Sequence, residues 1–351
     1  MALATIGIGL LGGGYAARTQ LRAWRLVPGA RVVAIWNRTA SRASALGREF
    51  GVDAVETLEA LLTDDRIDAV DVATSVETHV EYALRVAAAG KHVLCQKPLA
   101  TTLAEAEQIV DVCRAAGVRL MVNENWRWRP WYRVIRSLVD EGAVGRPFYL
   151  RIASRSAAAA ATSPDPSAHP FEDQPFLRTL QPLILLEIGP HYFDVARYLF
   201  GDPSGVFAQT LKVTPPERVL GEEVASALLL GPDRLAVIEL SWASFGYDEP
   251  VQPDSLALEG TEGALLLSTD GALRLCRLDG TVRQIDLDLS DYYVRSWAAA
   301  LRHFTECLAI GAEFETAGDQ NLGTLRLVFA AYESASNNRG VDLVRQAGPV
   351  P

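Results

Sequence analysis

Apolar residues in the first third of the chain fall in short unbroken runs. They are "TIGIGLL" (Thr5–Leu11), "RVVAIW" (Arg31–Trp36), "DAVDVAT" (Asp68–Thr74), "HVLC" (His92–Cys95) and "RLMV" (Arg119–Val122). The runs are rich in β-branched residues and do not alternate with polar ones. That is the pattern of parallel strands covered on both faces. Helix-like segments lie between them. "HVEYALRVAAAG" stops at Gly90, and "TTLAEAEQIVDVCRAAG" opens with Thr102 and Glu105 at capping-box spacing and stops at Gly117. The repeating strand–helix unit predicts a doubly wound parallel sheet.

From about residue 147 the texture changes. "PFYLRIA", "GVFAQTLKV", "EVASALLLG", "RLAVIELSW", "SLALEG", "ALLLS", "ALRLCRL" and "VRQIDL" read as strands, with turn signals such as Asp270-Gly271 and Asp279-Gly280. This predicts a large, mostly antiparallel sheet. Helices are expected over Tyr292–Ile310 and Asp319–Ser336. The Pro/Ser/Ala-rich stretch Ser156–Pro170 reads as a surface loop. A chain of 351 residues exceeds what one core usually organises, so two domains are expected, 1–125 and 126–351.

Composition narrows the partners. The formal net charge is −10, which disfavours nucleic acid. No apolar run reaches the length of a membrane span, and the N-terminus lacks the basic region of a signal peptide. Cys95, Cys113, Cys276 and Cys307 are widely spaced, which points to a reducing, cytoplasmic setting rather than a disulfide framework. The five histidines form no metal-ligand pattern, so no metal is expected.

Chemistry enters at three places. "GGGYAA" supplies Gly12-x-Gly14-x-x-Ala17 between a strand and a helix, the context in which a glycine turn cradles a pyrophosphate; Tyr15 and Ala16 lie in the same turn. The second strand ends in Asn37-Arg38 instead of a carboxylate, so the ribose end permits NADP as well as NAD. In "KHVLCQKPLA", Lys97 follows a parallel strand's carboxyl end, where open α/β sheets bind ligands, and Pro98 aims it. Beside it Gln96 offers hydrogen bonds in place of a carboxylate's charge. In "LLEIGPHYFDVARYLFG", His191 sits near a helix start, with Glu187 four residues before it and Asp194 three after. A histidine flanked by carboxylates suits general acid–base work. "ENWRWRPWYR" places Glu124, Asn125, Trp126 and Arg127 past another strand end, aromatic and polar groups together as a sugar site needs.

These segments together resemble the Gfo/Idh/MocA family of NAD(P)-dependent oxidoreductases over nearly the whole chain. The glycine turn, "AAAGKHVLCQKPLATTLAEAEQIVDVC", "GPHYFDVARYLFG" and "GDQNLGTLRLVFAAYESA" carry the likeness. Within the family, "ENWRWRPWYR" and Gln-Lys-Pro resemble a branch of sugar dehydrogenases that includes D-apiose oxidation. The resemblance implies a Rossmann domain, a C-terminal α/β domain whose large open, mostly antiparallel sheet forms homodimers or homotetramers, and hydride transfer between NAD or NADP and a sugar or cyclic polyol. It implies Lys97 and His191 as catalytic, with Glu187 where the family usually has aspartate. Thr74, His79, Gln96, Lys97 and Asn125 join the glycine turn, Asn37 and Arg38 at the cofactor. Glu124, Trp126 and Arg127 join Lys97, Glu187 and His191 at the substrate. Leu186 and Pro182 depart from the polar residues expected in this branch. The same fold also serves NAD-dependent glycosidases and non-catalytic dinucleotide sensors.

Overall fold

The structure, a computed structural model, describes residues 5–159, 171, 174–244 and 254–344. Residues 160–170, most of the Ser156–Pro170 stretch, lie outside the described residues. The chain divides into two compact units, one of residues 1–129 and 291–323, the other of 130–290 and 324–351.

The first unit carries β1 (Ile6–Leu11), β2 (Ala30–Trp36), β3 (Asp53–Ala54), β4 (Ala69–Val72), β5 (His92–Gln96) and β6 (Leu120–Asn123). Among the described residues they form one sheet in the order β3-β2-β1-β4-β5-β6, every pair parallel. The order reverses direction at β1/β4, as in the doubly wound folds. Helices α1 (Tyr15–Trp24), α2 (Ala40–Phe50), α3 (Leu58–Leu62), α4 (His79–Ala88) and α5 (Leu103–Ala115) fill the crossovers. The capping box on α5 forms as its spacing predicts: Thr102 Oγ1 accepts the Glu105 N–H at 3.2 Å, and Glu105 accepts the Thr102 N–H at 3.0 Å.

The second unit carries α6 (Pro130–Asp140), β7 (Pro147–Arg155), the one-turn α7 (Ile184–Glu187), α8 (Gly189–Phe200), β8 (Gly205–Leu211) and β9 (Val224–Leu230). It continues through β10 (Leu235–Ser241), β11 (Asp254–Gly260), β12 (Gly263–Leu267), β13 (Leu273–Arg277) and β14 (Val282–Ile285). With β15 (Val341–Asp342) these make a nine-stranded sheet in the order β14-β13-β12-β11-β7-β10-β9-β8-β15. Among the described residues only β7 and β10 of this sheet pair in parallel; the rest are antiparallel.

The expected partition at residue 125, with everything after it in one C-terminal domain, differs from this division. Helix α9 (Tyr292–Ile310) belongs to the first unit, because its apolar face completes that unit's core. Trp297, Leu301 and Phe304 pack with Ile8, Trp24, Leu94 and Met121. The following segment stays with it: the Val122 N–H donates to the Thr316 carbonyl at 2.9 Å, and Thr316 Oγ1 donates back to the Val122 carbonyl at 2.7 Å. These bonds cap the open edge of β6, a usual way of managing an edge strand. The division then falls within α10 (Gly318–Asn337), after Gly323.

Candidate functional site

In the first unit, β1 ends in the glycine turn. Gly12 has φ +137°, and a Cβ there would lie 2.3 Å from the Ala73 carbonyl oxygen, so only glycine fits. A Cβ on Gly14 would meet nothing within 4 Å. The turn therefore keeps open space at the start of α1, whose first turn carries no acidic residue and whose N-cap, Gly14, makes no side-chain cap bond. Backbone N–H groups left uncapped beside open space are what a pyrophosphate requires, so these residues fit a dinucleotide. Tyr15 in this turn is hydroxyl-bonded to Tyr293 of α9 at 2.9 Å. Ala16 packs against the core under the turn.

At the ribose end, Asn37 donates to the Thr39 carbonyl at 3.0 Å, and its amide carbon would stand 3.0 Å from a Cβ on Gly13. Arg38 is exposed. Arg42 reaches the same turn: a Cβ on Gly13 would stand 2.8 Å from the Arg42 Cβ.

Below the turn lies a buried polar group that hydropathy does not announce. Asp71, in the middle of β4, is fully buried. It accepts from Gln20 Nε2 at 2.5 Å and Trp24 Nε1 at 2.8 Å, both on α1. Burial pushes its carboxyl up to about 7, against the two hydrogen bonds that pull it down. Helix α1 is thus pinned to the sheet by a carboxyl.

The carboxyl ends of β4 to β6 carry the next group. His79 is 1% exposed and heads α4. Its Nδ1 faces the carbonyls of Pro98 (3.0 Å) and Leu99 (3.2 Å), and its Nε2 faces the carbonyl of Thr74 (3.2 Å). Burial lowers its pKa, with the backbone bonds opposing. The imidazole therefore ties the loop after β4 to the segment that carries Lys97. Thr74 also accepts from Thr78 Oγ1 at 2.8 Å. Gln96 is 5% exposed; its Oε1 accepts the Lys97 backbone N–H at 3.3 Å, while its Nε2 is buried without a hydrogen-bond partner among the described residues. Gln96 is register partner to Asn123 on β6, so the two carboxamides share a face. Asn123 is fully buried and neither of its polar side-chain atoms has a partner among the described residues.

Past β6, Glu124 is fully buried and Asn125 is 1% exposed, its Nδ2 donating to Ser296 of α9 at 3.4 Å. Arg127 donates to the Glu315 carbonyl at 2.9 Å, with the Glu315 carboxylate 3.8 Å away. The Arg129 guanidinium lies 3.5 Å from the centre of the half-buried Trp126 ring. Of Glu124, Trp126 and Arg127, only Trp126 is more than marginally accessible.

In the second unit, Glu187 is the last residue of α7 and His191 the third of α8. Pro190 occupies the second helical position, where its missing N–H costs nothing. His191 is 5% and Asp194 1% exposed. The neighbouring Tyr192 donates to Asp254 Oδ1 on β11, and Tyr132 on α6 donates to Asp254 Oδ2 at 2.8 Å; all three are fully buried. That carboxylate moors the histidine helix to the sheet. Lys97 belongs to the first unit and His191, with Glu187, to the second. Residues that the sequence patterns did not flag are Arg42, Asp71, Tyr293 and Asp254. A polar residue inside an apolar strand, as in "DAVDVAT", is the signal that could have marked Asp71.

Among the described residues, no group of three or more His, Cys, Asp and Glu could hold a metal ion, and no helix is long and apolar enough to cross a membrane. Residues 6–124 match the oxidoreductase family with an NAD-binding Rossmann fold, and residues 132–266 match the GFO/IDH/MocA C-terminal domain. D-apiose dehydrogenase of Paraburkholderia graminis is 35% identical over 344 residues, covering 95% of this chain and 88% of that protein. D-apiose dehydrogenase of Rhizobium rhizogenes is 33% identical, covering 95% and 96%. A solved oxidoreductase from Agrobacterium radiobacter, in complex with NAD+, L-tartaric acid and magnesium, superimposes with a TM-score of 0.90 at 32% identity, covering 98% of this chain and 100% of that one. Both units thus match one family over most of their length, and the chain belongs to the Gfo/Idh/MocA family of NAD-binding oxidoreductases.

Proposed function

We propose that the protein is a dehydrogenase that oxidises a sugar at a carbinol or lactol carbon, D-apiose or a related pentose first among the candidates, with NAD or NADP as acceptor. The observation that carries this reading is the presence in one chain of Lys97, at the carboxyl end of β5, and a buried His191 one turn beyond Glu187. The identity to two D-apiose dehydrogenases over 95% of the chain supports the substrate class.

Gly12, Gly14, Tyr15 and Ala16 hold the dinucleotide at its pyrophosphate, Asn37 and Arg38 at its ribose, and Thr74, Gln96 and Asn125 toward the nicotinamide. His79 serves that end by packing between the Thr74 and Pro98 carbonyls, its single N–H donating on one side. When bound, the nicotinamide supplies the ring that accepts a hydride. His191 takes the proton from the reacting hydroxyl, and Glu187 orients the imidazole. Lys97 donates a hydrogen bond to the same oxygen and stabilises its alkoxide character. Trp126 offers a stacking face to the sugar, and Glu124 and Arg127 supply polar groups to its hydroxyls.

The absence of a carboxylate at Asn37-Arg38, with Arg42 beside them, supports use of both nicotinamides. The cysteines Cys95, Cys113, Cys276 and Cys307, all unbridged, support a reducing cytoplasm. The nine-stranded sheet, with alternate residues of β9 and β11 less than buried, supports assembly into a homodimer or homotetramer through its open face.

The test is a panel of pentoses, hexoses, inositols and their anhydro forms with NAD and with NADP, followed by the absorbance of reduced nicotinamide. Net reduction with at least one pentose is expected. Tight dinucleotide binding with no net reduction across the panel would overturn the dehydrogenase in favour of a sensor or a glycosidase.

A further inference from the structure

Helix α7 has four residues, a single turn, and Glu187 ends it. One turn of helix does not persist by its own hydrogen bonds, because fixing the first turn costs more than its bonds return. Something outside must hold the amide groups at its start. Here it is Glu222, chiefly through one carboxylate oxygen, with its backbone carbonyl also accepting the Ile184 N–H at 3.2 Å. Glu222 Oε1 accepts the N–H of Leu183 at 3.0 Å and of Ile184 at 3.1 Å. The same oxygen accepts the hydroxyl of Tyr332, from α10, at 2.6 Å. The Tyr332 oxygen in turn accepts the Leu186 N–H at 3.0 Å. Three of the backbone donors between 183 and 186 therefore end, directly or through one phenol, on Glu222.

The surroundings give this oxygen little freedom. A Cβ on Gly221 would stand 2.4 Å from Leu183 Cβ and 2.5 Å from the Leu180 carbonyl oxygen, so glycine is what lets the 220–223 segment come this close. Gln181 Nε2 donates to the Leu220 carbonyl at 2.8 Å, and the Leu220 N–H donates to the Arg178 carbonyl at 2.8 Å. On its other side the segment is anchored by Glu223, fully buried, which accepts from Lys212 at 3.1 Å and from the Thr214 N–H. Burial, and then the charge of Glu222 and its hydrogen bond, push the Tyr332 phenol up, so it stays a donor at every physiological pH. Leu183, Ile184 and Leu186 are themselves buried. Leu186, where a polar residue was expected, buries its side chain and bonds through its amide, as any residue but proline could.

We infer that Glu222 and Tyr332 are positioning residues that fix Glu187, and through it the start of the His191 helix, for the proton transfer. The inference rests on the reading of Glu187 and His191 as the acid–base pair. Catalytic carboxylates tolerate displacements of only a fraction of an ångström, and misplacement acts on turnover more than on substrate binding.

The experiment compares Tyr332→Phe, Glu222→Gln, Glu222→Ala and Glu187→Gln in the full chain, alone and in the pair Tyr332→Phe/Glu187→Gln. Tyr332→Phe is expected to lower kcat about tenfold with KM for the sugar and dinucleotide Kd within about twofold. Glu222→Gln keeps an acceptor oxygen and is expected to retain several-fold more turnover than Glu222→Ala. In the Glu187→Gln background Tyr332→Phe is expected to add no further loss, since its effect passes through Glu187. Folded Tyr332→Phe and Glu222→Gln proteins with parental kcat, beside a crippled Glu187→Gln, overturn this inference and leave the acid–base reading standing. So does a Tyr332→Phe loss that simply adds to that of Glu187→Gln. Parental turnover in both Glu187→Gln and His191→Ala overturns the acid–base reading itself.

Discussion

In the six-stranded sheet, β4, β5 and β6 are buried at every position except the half-buried His92. In the nine-stranded sheet, β9 and, as far as Glu259, β11 alternate between buried and less buried residues. The two units present the side chains of the proposed acid–base chemistry accordingly. Lys97 is delivered by the end of a strand sealed on both faces, and the backbone around it is held by backbone-directed contacts, the His79 imidazole on the carbonyls of Thr74, Pro98 and Leu99. His191 is delivered by the first turn of a helix, which has no strand ladder to hold it. Carboxylates of the second unit do that work instead, Asp254 through Tyr192 and Glu222 through the amides of α7. The strand end takes its position from the sheet ladder with one imidazole beside it, whereas the helix start has no ladder and is fastened by carboxylates from distant segments.

The largest expected effect tests whether both deliveries serve one reaction. Lys97→Ala and His191→Ala should each lower kcat by about two to four powers of ten, with dinucleotide still bound as read by fluorescence titration. A lysine variant that lost dinucleotide binding but not turnover at saturation would separate the units' roles.

Next in size is the carboxyl that pins α1. Asp71 is raised from its usual 3.8 to about 7. Below the lower value it is protonated in both folded and unfolded chains. Between the two, the unfolded chain releases its proton while the folded one keeps it. Its contribution to stability is therefore fully present at low pH, is lost as pH rises through about 7, and stays lost above that. Asp71→Asn removes the ionisation. It should be more stable than the parent by about 2–4 kcal/mol near pH ~8 and by much less near pH ~4, read from urea melts at each pH. Equal pH dependence in parent and variant would show that the charge is compensated in some other way.

Smallest is the cap on α5. Thr102→Ala removes the side-chain acceptor of the Glu105 N–H and should cost about 1 kcal/mol, with turnover unchanged. A loss of turnover would show that the Lys97 segment, which leads into the cap, depends on it.

Much of this molecule is legible along the chain because its signals are local. The apolar runs mark β1, β2, β4, β5 and β6, with Asp71 the polar exception inside β4, the Thr102/Glu105 spacing marks the start of α5, and the glycine turn marks the end of β1. Three features escaped for one common reason. Helix α9 reads correctly as a helix, but its periodicity does not say which core it fills, and it fills the first. The Glu222–Tyr332 bond joins residues 110 apart, and Tyr15–Tyr293 joins residues 278 apart. Nothing in the hydropathy of either partner names the other. The two-residue β3 and β15 are too short to carry a pattern.

The amino-acid order by itself determined the alternation of strand and helix, the turn that only glycine can make, and which side chains stand at strand ends and helix starts. Those follow from steric limits on φ and ψ and from the period of apolar burial, which act within a few residues. Only the tertiary structure decided which buried polar groups share a bond and which core receives α9. A hydrogen bond's value depends on geometry and on the loss of water around it, and neither exists until distant segments meet.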